Sequence, residues 1–149
     1  MKTKTIITEI THDDLVDLFS TALYDSYVFG AYYLPKDYVG LEDPNDCLED
    51  VFAKILLAGK SIYVIDRESE DYDDVYGELP HKLNDEGNIE YKVCLEDVKN
   101  GIAKALDSGK EWARHCATEF INKDNSSEWD NPRAEELIQW IIFGDSIYG

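Results

Sequence analysis

The residues with the richest coordination and acid–base chemistry in this chain are three histidines and three cysteines. His115 and Cys116 are neighbours, and imidazole and thiolate are both zinc ligands. Adjacent residues on a helix point about 100° apart, however, and a structural zinc site needs four matched ligands. His12 and His81 have no partner at ligand spacing. We expect the histidines at the surface or in satisfied core positions, and we predict no metal site and no cofactor.

Asp71, Asp73 and Asp74 resemble the first ligands of a calcium-binding loop. Such a loop also needs a glycine at its sharp turn and a closing glutamate. Leu79 and Lys82 occupy the neighbourhood of the closing position instead. A solvated acidic loop is therefore the favoured interpretation of these carboxylates.

Nucleophilic catalysis has no recognisable pattern in the chain. Cys47 and Cys94 stand beside or within apolar segments, where a thiol usually behaves as a small hydrophobe. There is no GxSxG, HExxH or GxGxxG sequence and no phosphate-binding glycine loop. Carboxylates are so numerous that no acid–base pair can be singled out. We predict no catalytic residue and a protein that is not an enzyme. The odd number of cysteines, without a CxxC pair, indicates reduced thiols.

The charge balance excludes some classes of partner. The chain has 32 acidic and 14 basic side chains, a formal net charge of -18. Such a field repels phosphate backbones and anionic membrane surfaces and attracts basic surfaces. We therefore expect no direct binding to nucleic acid or to membranes, and we predict a protein partner with a basic, nucleic-acid-binding groove. The chain shows no apolar signal region and no run long enough to span a bilayer, which indicates a cytoplasmic protein.

Two segments suggest an interaction surface. Residues 27–38 are rich in aromatic side chains and are interrupted by Gly30 and Pro35. Such a cluster forms either an exposed contact surface or a wall of the core. Residues 66–90 hold ten acidic side chains against Arg67 and Lys82. The candidate interaction surface consists of Tyr27, Phe29, Tyr32, Tyr33, Glu68, Glu70, Asp71, Asp73 and Asp74.

These residues must be positioned by a fold with one core. A chain of 149 residues with 44% hydrophobic content can bury one ordinary core, and we predict a single acidic domain over residues 1–149. Helical spacing of apolar side chains predicts helices over residues 11–24, 46–59, 95–109, 110–121 and 131–144. Thr11 caps the first helix with Asp14, and Asp46 caps the second with Glu49. The buried stripe of the second helix comprises Leu48, Val51, Phe52, Ile55 and Leu56.

Strand patterns are shorter. They predict an edge strand over residues 5–10, a strand over 61–66 and a strand over 89–93, with Glu90 and Lys92 on a solvated face of the last. The aromatic stretch is a strand or an ordered loop, and residues 66–90 are a loop region. The predicted fold class is therefore α+β, with a small, mostly antiparallel sheet packed against three to four amphipathic helices in a single layer.

The closing helix is the most complete pattern. Asn131 is a suitable N-cap, Pro132 suits the first helical position, and Gly144 can end the helix in the left-handed conformation. Glu135 and Glu136 complement the positive end of the helix dipole. The apolar face consists of Ala134, Leu137, Ile138 and Ile141.

The same segment carries a resemblance. Residues 134–149 read Ala-Glu-Glu-Leu-Ile-Gln-Trp-Ile-Ile-Phe-Gly-Asp-Ser-Ile-Tyr-Gly. This ending resembles the C-terminal signature, of the type IIQxxxFGxxxYG, of a family of small uncharacterised proteins from bacteriophages, prophages and conjugative elements. Residues 10–23 resemble the family's opening helix, and residues 91–102 its strand-to-helix passage. The chain departs from the family at 27–33 and at 110–125. The resemblance implies an accessory protein of a mobile element and brings no catalytic or ligand residues.

Three functions stay open from the sequence. The first is a non-catalytic protein-binding module, including an acidic DNA mimic that blocks a host defence nuclease. The second is a structural or assembly role as a homo-oligomer. The third, a metal-dependent enzyme, is disfavoured because no site meets the geometric requirements. The sequence leaves the oligomeric state open.

Overall fold

The computed structural model of the protein describes residues 4–69, 75–122 and 129–148. This part of the chain contains helices and strands in the proportions of an α+β fold, which confirms the predicted class. In chain order the elements are α1 (His12–Leu23), β1 (Phe29–Tyr32), α2 (Pro35–Tyr38), α3 (Leu48–Leu57), β2 (Ile62–Asp66), β3 (His81–Leu83), β4 (Ile89–Val93), α4 (Leu95–Asp107), α5 (Glu111–Ile121) and α6 (Asn131–Phe143).

The strands form one antiparallel sheet in the order β1-β2-β4-β3. Val64 pairs with Ala31 on one side and Tyr91 on the other, and these side chains face the core. Helices α1, α3 and α6 contact β1, β2 and β4 respectively. The rings of Tyr91 and Phe29 pack against Phe143 of α6, which places the helices on this face of the sheet.

The predicted edge strand over residues 5–10 is wrong, because these residues form no strand. The segment lies over α4 instead of beside the sheet. The backbone N–H of Thr5 donates to Asp107, and the ammonium of Lys99 donates to the carbonyl of Thr8. β-Branched composition favours an extended chain but does not supply a neighbouring strand, and here side chains of α4 satisfy the backbone instead.

Two further strand predictions need correction. The segment predicted as loop contains β3, whose three residues are all exposed and so carry no alternation signal. The solvated face predicted for β4 is wrong at Glu90, which is only 6% exposed. Its carboxylate accepts a hydrogen bond from the Tyr32 hydroxyl on β1, and this neighbour covers it. Lys92 is exposed, as predicted.

Helix α6 lies at the centre of the helices. It packs against α1, α4 and α5 and reaches β4. The predicted apolar face is buried, and Gly144, with φ of 71°, ends the helix as predicted. Burial extends beyond that face, because Trp140, Ile142 and Phe143 are also at most 5% exposed. A helix that is buried around most of its circumference forms the core of a domain.

Gly101 of α4 lies in close contact with α6. A Cβ atom built at Gly101 would lie 2.4 Å from Cα of Ile141. Glycine weakens a helix interior by about 1 kcal/mol relative to alanine. At this position the missing side chain lets α4 and α6 approach each other, so the glycine serves packing.

Helix starts are partly as predicted. Thr11 and Asp14 form the predicted capping box of α1, with hydrogen bonds in both directions. Asp46 is not the N-cap of α3; Cys47 is, and its backbone N–H donates to Asp50. Leu48, predicted in the buried stripe, is 48% exposed in the first turn.

The same short sequence begins two helices, α3 and α4. The pentapeptide Cys-Leu-Glu-Asp-Val occurs at residues 47–51 and 94–98. In the second copy Cys94 is the N-cap of α4, and its backbone N–H donates to Asp97. Serine, threonine, aspartate and asparagine are the usual capping residues, which is why a cysteine cap was missed.

The start of α6 is also displaced by one residue. Asp130 is the N-cap, and Asn131 is the first helical residue. The side-chain amide of Asn131 instead donates to the carbonyls of Thr21 and Ala22 at the end of α1. The residue predicted to cap its own helix therefore ties α6 to α1.

Candidate functional site

The predicted aromatic surface is divided between core and exterior. Phe29 is 1% exposed and is wrong as a surface residue, because β1 turns its side chain toward the helices. Tyr33 follows β1 and is partly buried, with its ring packed against Tyr38 and Phe52. Tyr27 is 89% exposed in the connection between α1 and β1.

Tyr32 lies on the other face of the sheet and is already engaged. Its ring stacks on Tyr63, with ring centroids 5.1 Å apart. Lys82 covers Tyr63 at 5.8 Å, and the Tyr32 hydroxyl donates to Glu90. Partial burial, followed by the bond to Glu90, raises the pKa of Tyr32. The ring and the hydroxyl of Tyr32 thus both have partners within the sheet.

The predicted acidic residues are only partly placed. Glu68 is exposed just after β2. Glu70, Asp71, Asp73 and Asp74 lie outside the described residues. Of the predicted acidic residues, the described part of the chain thus places Glu68 alone.

A larger imbalance of charge lies in residues 13–50, which we call the acidic region. It contains ten acidic side chains and one basic side chain, Lys36. The region folds together, because α1 packs against α3 and α2 packs against α3. The ten are Asp13, Asp14, Asp17, Asp25, Asp37, Glu42, Asp43, Asp46, Glu49 and Asp50.

Internal contacts explain some of these carboxylates. Asp46 accepts hydrogen bonds from the Tyr38 hydroxyl and the Lys54 ammonium, both at 2.7 Å. Lys54, followed by Tyr38, lowers the pKa of Asp46. The imidazole of His12 lies 2.9 Å from Asp50 and, with the Cys47 thiol, holds the pKa of Asp50 at about 2. These carboxylates hold α1, α2 and α3 together.

Several other carboxylates of the acidic region face solvent, although Asp14 is buried. Five are exposed: Asp13, Asp17, Asp25, Glu42 and Asp43. Glu42 and Asp43 accept hydrogen bonds from the neutral backbone amides of Gly40 and Asn45 respectively. Sequence reasoning overlooked this region because its acidic residues are spread over several elements and form no run.

A second stretch, residues 82–115, provides an internal contrast. It contains seven acidic and six basic side chains. We call it the mixed region. The negative charge of the protein is therefore concentrated in parts of the chain and is not a uniform property of its surface.

Histidine and cysteine positions support no ligand cluster within the described ranges. His12, which has no partner at metal-ligand spacing in the sequence, contacts Asp50, a neighbour that sequence spacing could not show. The ring of His115 stacks on Trp112, while Cys116 is fully buried. Burial, and then the charge of Glu136, raises the pKa of Cys116 to about 12. No group of three or more potential ligands in residues 4–69, 75–122 and 129–148 could hold a metal ion.

The C-terminal segment has a structural role. Gln139 Oε1 accepts hydrogen bonds from the backbone N–H groups of Ile147 and Tyr148, both at 2.7 Å. The Tyr148 hydroxyl donates to Asp66 at 2.7 Å, which joins the tail to the end of β2. Asp66 is fully buried, and this burial raises its pKa. We call Gln139, Tyr148 and Asp66 the tail clasp.

Glu136 extends these tail contacts. It is buried and accepts hydrogen bonds from the indole of Trp140 at 2.8 Å and the hydroxyl of Ser146 at 3.0 Å. The dipole role predicted for Glu135 and Glu136 is wrong, because neither lies in the first turn of α6. Glu135 accepts a hydrogen bond from Ser26 instead. These glutamates position the tail and the loop after α1.

Comparison of the chain with protein-family models, with curated protein sequences and with solved structures finds no significant match in any of the three. The resemblance of the closing segment to mobile-element proteins thus stays a prediction. Among the helices of the described ranges, none combines the length and the apolar character needed to cross a bilayer.

Proposed function

We propose that the protein is a non-catalytic protein-binding module whose acidic region contacts a basic surface of its partner. The observation that carries this proposal is the ratio of ten acidic side chains to one basic side chain in residues 13–50. The mixed region, with seven acidic and six basic side chains, has no comparable excess.

Exposed carboxylates on a folded scaffold suit this task. Charges separated by less than a Debye length, about 8 Å at physiological salt, attract a basic surface during the encounter. Lysine and arginine side chains that bind phosphates also bind carboxylates. The proposed partner is therefore a nucleic-acid-binding protein whose basic groove the acidic region occupies in place of DNA.

The biological setting is part of the same proposal. The resemblance of residues 134–149 to mobile-element proteins favours an accessory protein that acts on a bacterial host or phage factor. A defence nuclease is one partner with a suitable basic groove. Gene neighbourhood is the direct check on this setting.

Binding from a bacterial lysate tests the proposal with charge-matched variants. One variant carries Asp13→Asn, Asp17→Asn, Glu42→Gln and Asp43→Asn in the acidic region. The control carries Asp85→Asn, Glu86→Gln, Glu96→Gln and Glu111→Gln in the mixed region. Both lose the same charge, so a difference between them reports the location of the charge. The captured protein is then challenged with duplex DNA and with rising salt.

We expect wild type and the mixed-region variant to retain a DNA-binding protein that duplex DNA or a few hundred millimolar salt releases. The acidic-region variant should lose it. Equal retention by both variants, or retention that is indifferent to salt and DNA, would contradict the proposal. Light scattering on the purified protein separates binding to another protein from self-assembly.

A further inference from the structure

Two aromatic side chains in the connection between α1 and β1 are almost fully exposed. Tyr24 is 78% exposed and Tyr27 is 89% exposed. Neither side chain makes a hydrogen bond, an ion pair or a ring contact within the part of the chain that the structure describes. Phe29, two residues further on, packs its ring against Phe143 in the core. The two tyrosine rings are therefore available to another molecule.

The connection that carries these tyrosines is held in place through Ser26. The Ser26 hydroxyl donates to Glu135 of α6 at 2.9 Å. It also accepts hydrogen bonds from the backbone N–H groups of Val28 and Phe29, at 3.2 and 3.1 Å. The guanidinium of Arg67, just after β2, donates to the Ser26 carbonyl at 3.1 Å. A contact surface that is already ordered loses little conformational entropy when a partner binds.

The backbone between the two tyrosines is in an uncommon conformation. Asp25 has φ of 52°, in the left-handed region that residues other than glycine seldom adopt. Such a conformation persists only where the surrounding structure fixes it, and it is frequent at binding sites. Here the contacts of Ser26 with Glu135 and Arg67 fix it. The turn is therefore a rigid support for two exposed rings.

The charges at this turn favour a basic partner. Tyr24 and Tyr27 lie within the acidic region, and Asp25 between them is exposed. The charged groups that bond to Ser26 are Arg67 and Glu135, whose charges have opposite sign and balance each other. Asp25 then gives the turn a net negative charge, which attracts cations.

Arginine is the cation that suits two aromatic rings beside a carboxylate. Its planar guanidinium stacks on aromatic faces and binds carboxylates through two N–H groups, whereas the lysine ammonium is compact and strongly hydrated. Tyrosine and arginine are both enriched among the residues that dominate binding energy at interfaces. Because Tyr24 and Tyr27 are three positions apart, their Cα atoms lie within about 11 Å of each other. One basic surface can therefore contact both rings.

We propose that Tyr24 and Tyr27 anchor an arginine-bearing surface of the basic protein partner. The two rings stack on guanidinium groups, and the Asp25 carboxylate accepts hydrogen bonds from the same arginines. This role rests on the function proposed above, because the tyrosines belong to the acidic region that contacts the partner. The carboxylates of that region attract any basic surface, and the tyrosines favour one whose cations are arginines.

Fluorescence anisotropy with labelled oligoarginine and oligolysine of equal length tests this proposal, since the two peptides carry the same charge. Wild type should bind oligoarginine about tenfold more tightly than oligolysine. The double variant Tyr24→Leu, Tyr27→Leu should lose this preference, because the rings are absent and oligoarginine binding weakens. The double variant Tyr24→Phe, Tyr27→Phe keeps the rings and should retain it. Trp112→Leu should also retain it, since Trp112 is an aromatic residue of the mixed region that is 45% exposed.

An unchanged preference for oligoarginine in the leucine variant would overturn the proposal. Equal weakening of both peptides in that variant, or loss of the preference in Trp112→Leu, would overturn it as well. Circular dichroism melting checks that each variant is folded. The ring signals of Tyr24 and Tyr27 in NMR spectra of wild type should shift on saturation with oligoarginine, and unmoved signals exclude the contact without any substitution.

The acidic-region variant described above separates this proposal from the proposed function. Its four substitutions, Asp13→Asn, Asp17→Asn, Glu42→Gln and Asp43→Asn, remove charge and leave both rings in place. It should bind both peptides more weakly than wild type and keep the preference for oligoarginine. Binding of both peptides as tight as that of wild type would contradict the proposed function, whereas a preference retained by the leucine variant contradicts only the role of the tyrosines.

Discussion

Helix α6 with its tail and the acidic region differ in how far their carboxylates are buried and hydrogen-bonded. In the first, Glu136 is 5% exposed and accepts hydrogen bonds from Trp140 and Ser146, which are neutral donors. In the second, exposed carboxylates such as Asp13 and Asp25 face solvent. A buried carboxylate must have internal partners, whereas an exposed one needs none.

This difference separates stability from binding. Removing a partner from a buried charged group leaves that group unsatisfied and costs about 1–3 kcal/mol, or more. Surface substitutions away from such contacts usually change stability by no more than about 0.5 kcal/mol. Substitutions in α6 and the tail clasp should therefore act on folding, and substitutions in the acidic region should act on association.

The largest effect is expected where α6 contacts α4. Gly101→Val places side-chain atoms in the space held by the Ile141 backbone and should lower the free energy of unfolding by about 3 kcal/mol or more. Urea unfolding followed by circular dichroism measures it. Glu96→Ala, an exposed change on the same helix, should stay within about 0.5 kcal/mol of wild type. Equal stabilities for the two variants would show that the helices separate at little cost.

The tail clasp should give the next effect. Tyr148→Phe removes the hydroxyl that donates to buried Asp66 and should cost about 2 kcal/mol in urea unfolding at neutral pH. Tyr24→Phe is the control, because Tyr24 is 78% exposed and its substitution should change little. If both phenylalanine variants unfold like wild type, the clasp does not stabilise the fold.

The pH dependence of stability at Asp66 tests the comparison of buried and exposed carboxylates at a buried one. Its pKa is raised by burial, so its contribution to stability is complete below the pKa of the unfolded chain, about 3.9, and is lost as pH rises through the folded value. Wild type should therefore gain stability relative to Asp66→Asn when pH is lowered from 7 to about 4. Urea unfolding across that range tests the sign, and a relative loss would contradict it.

The contribution of Asp50 to stability should have the opposite pH dependence from that of Asp66, and it is the smallest of the effects expected here. Contact with His12 lowers its pKa to about 2, so its contribution is present above about pH 4 and is lost as pH falls toward 2. Thermal melts of wild type and Asp50→Asn should converge over that interval. Asp85→Asn, in an exposed turn, should keep a constant offset from wild type. Melts of Asp50→Asn that stay parallel to those of wild type would indicate that the contact with His12 adds nothing.

Local sequence patterns predicted the helices well, because the residues that begin, line and end a helix are near neighbours in the chain. The capping box of Thr11 and Asp14 and the terminal Gly144 of α6 are confirmed, since each depends on neighbours within a few residues. The caps at Asp46 and Asn131 were each misplaced by one residue. In both cases a tertiary contact, with Lys54 or with the end of α1, determines what the side chain binds.

The candidate surface was harder to predict. Phe29 and Tyr27 are two residues apart in an aromatic stretch, yet one is 1% and the other 89% exposed. Composition cannot distinguish them, because exposure depends on which strand and helix lie beside each side chain.

By itself, the sequence determined the α+β class, most helix positions and the large negative charge, because periodicity, capping and composition are local or summed properties. Only the tertiary structure decided which carboxylates are buried, since Glu90 and Asp66 find their donors on β1 and in the C-terminal tail. It also decided where the charge is exposed. Long-range packing brings together residues that are far apart in the chain, and no sequence spacing indicates such contacts.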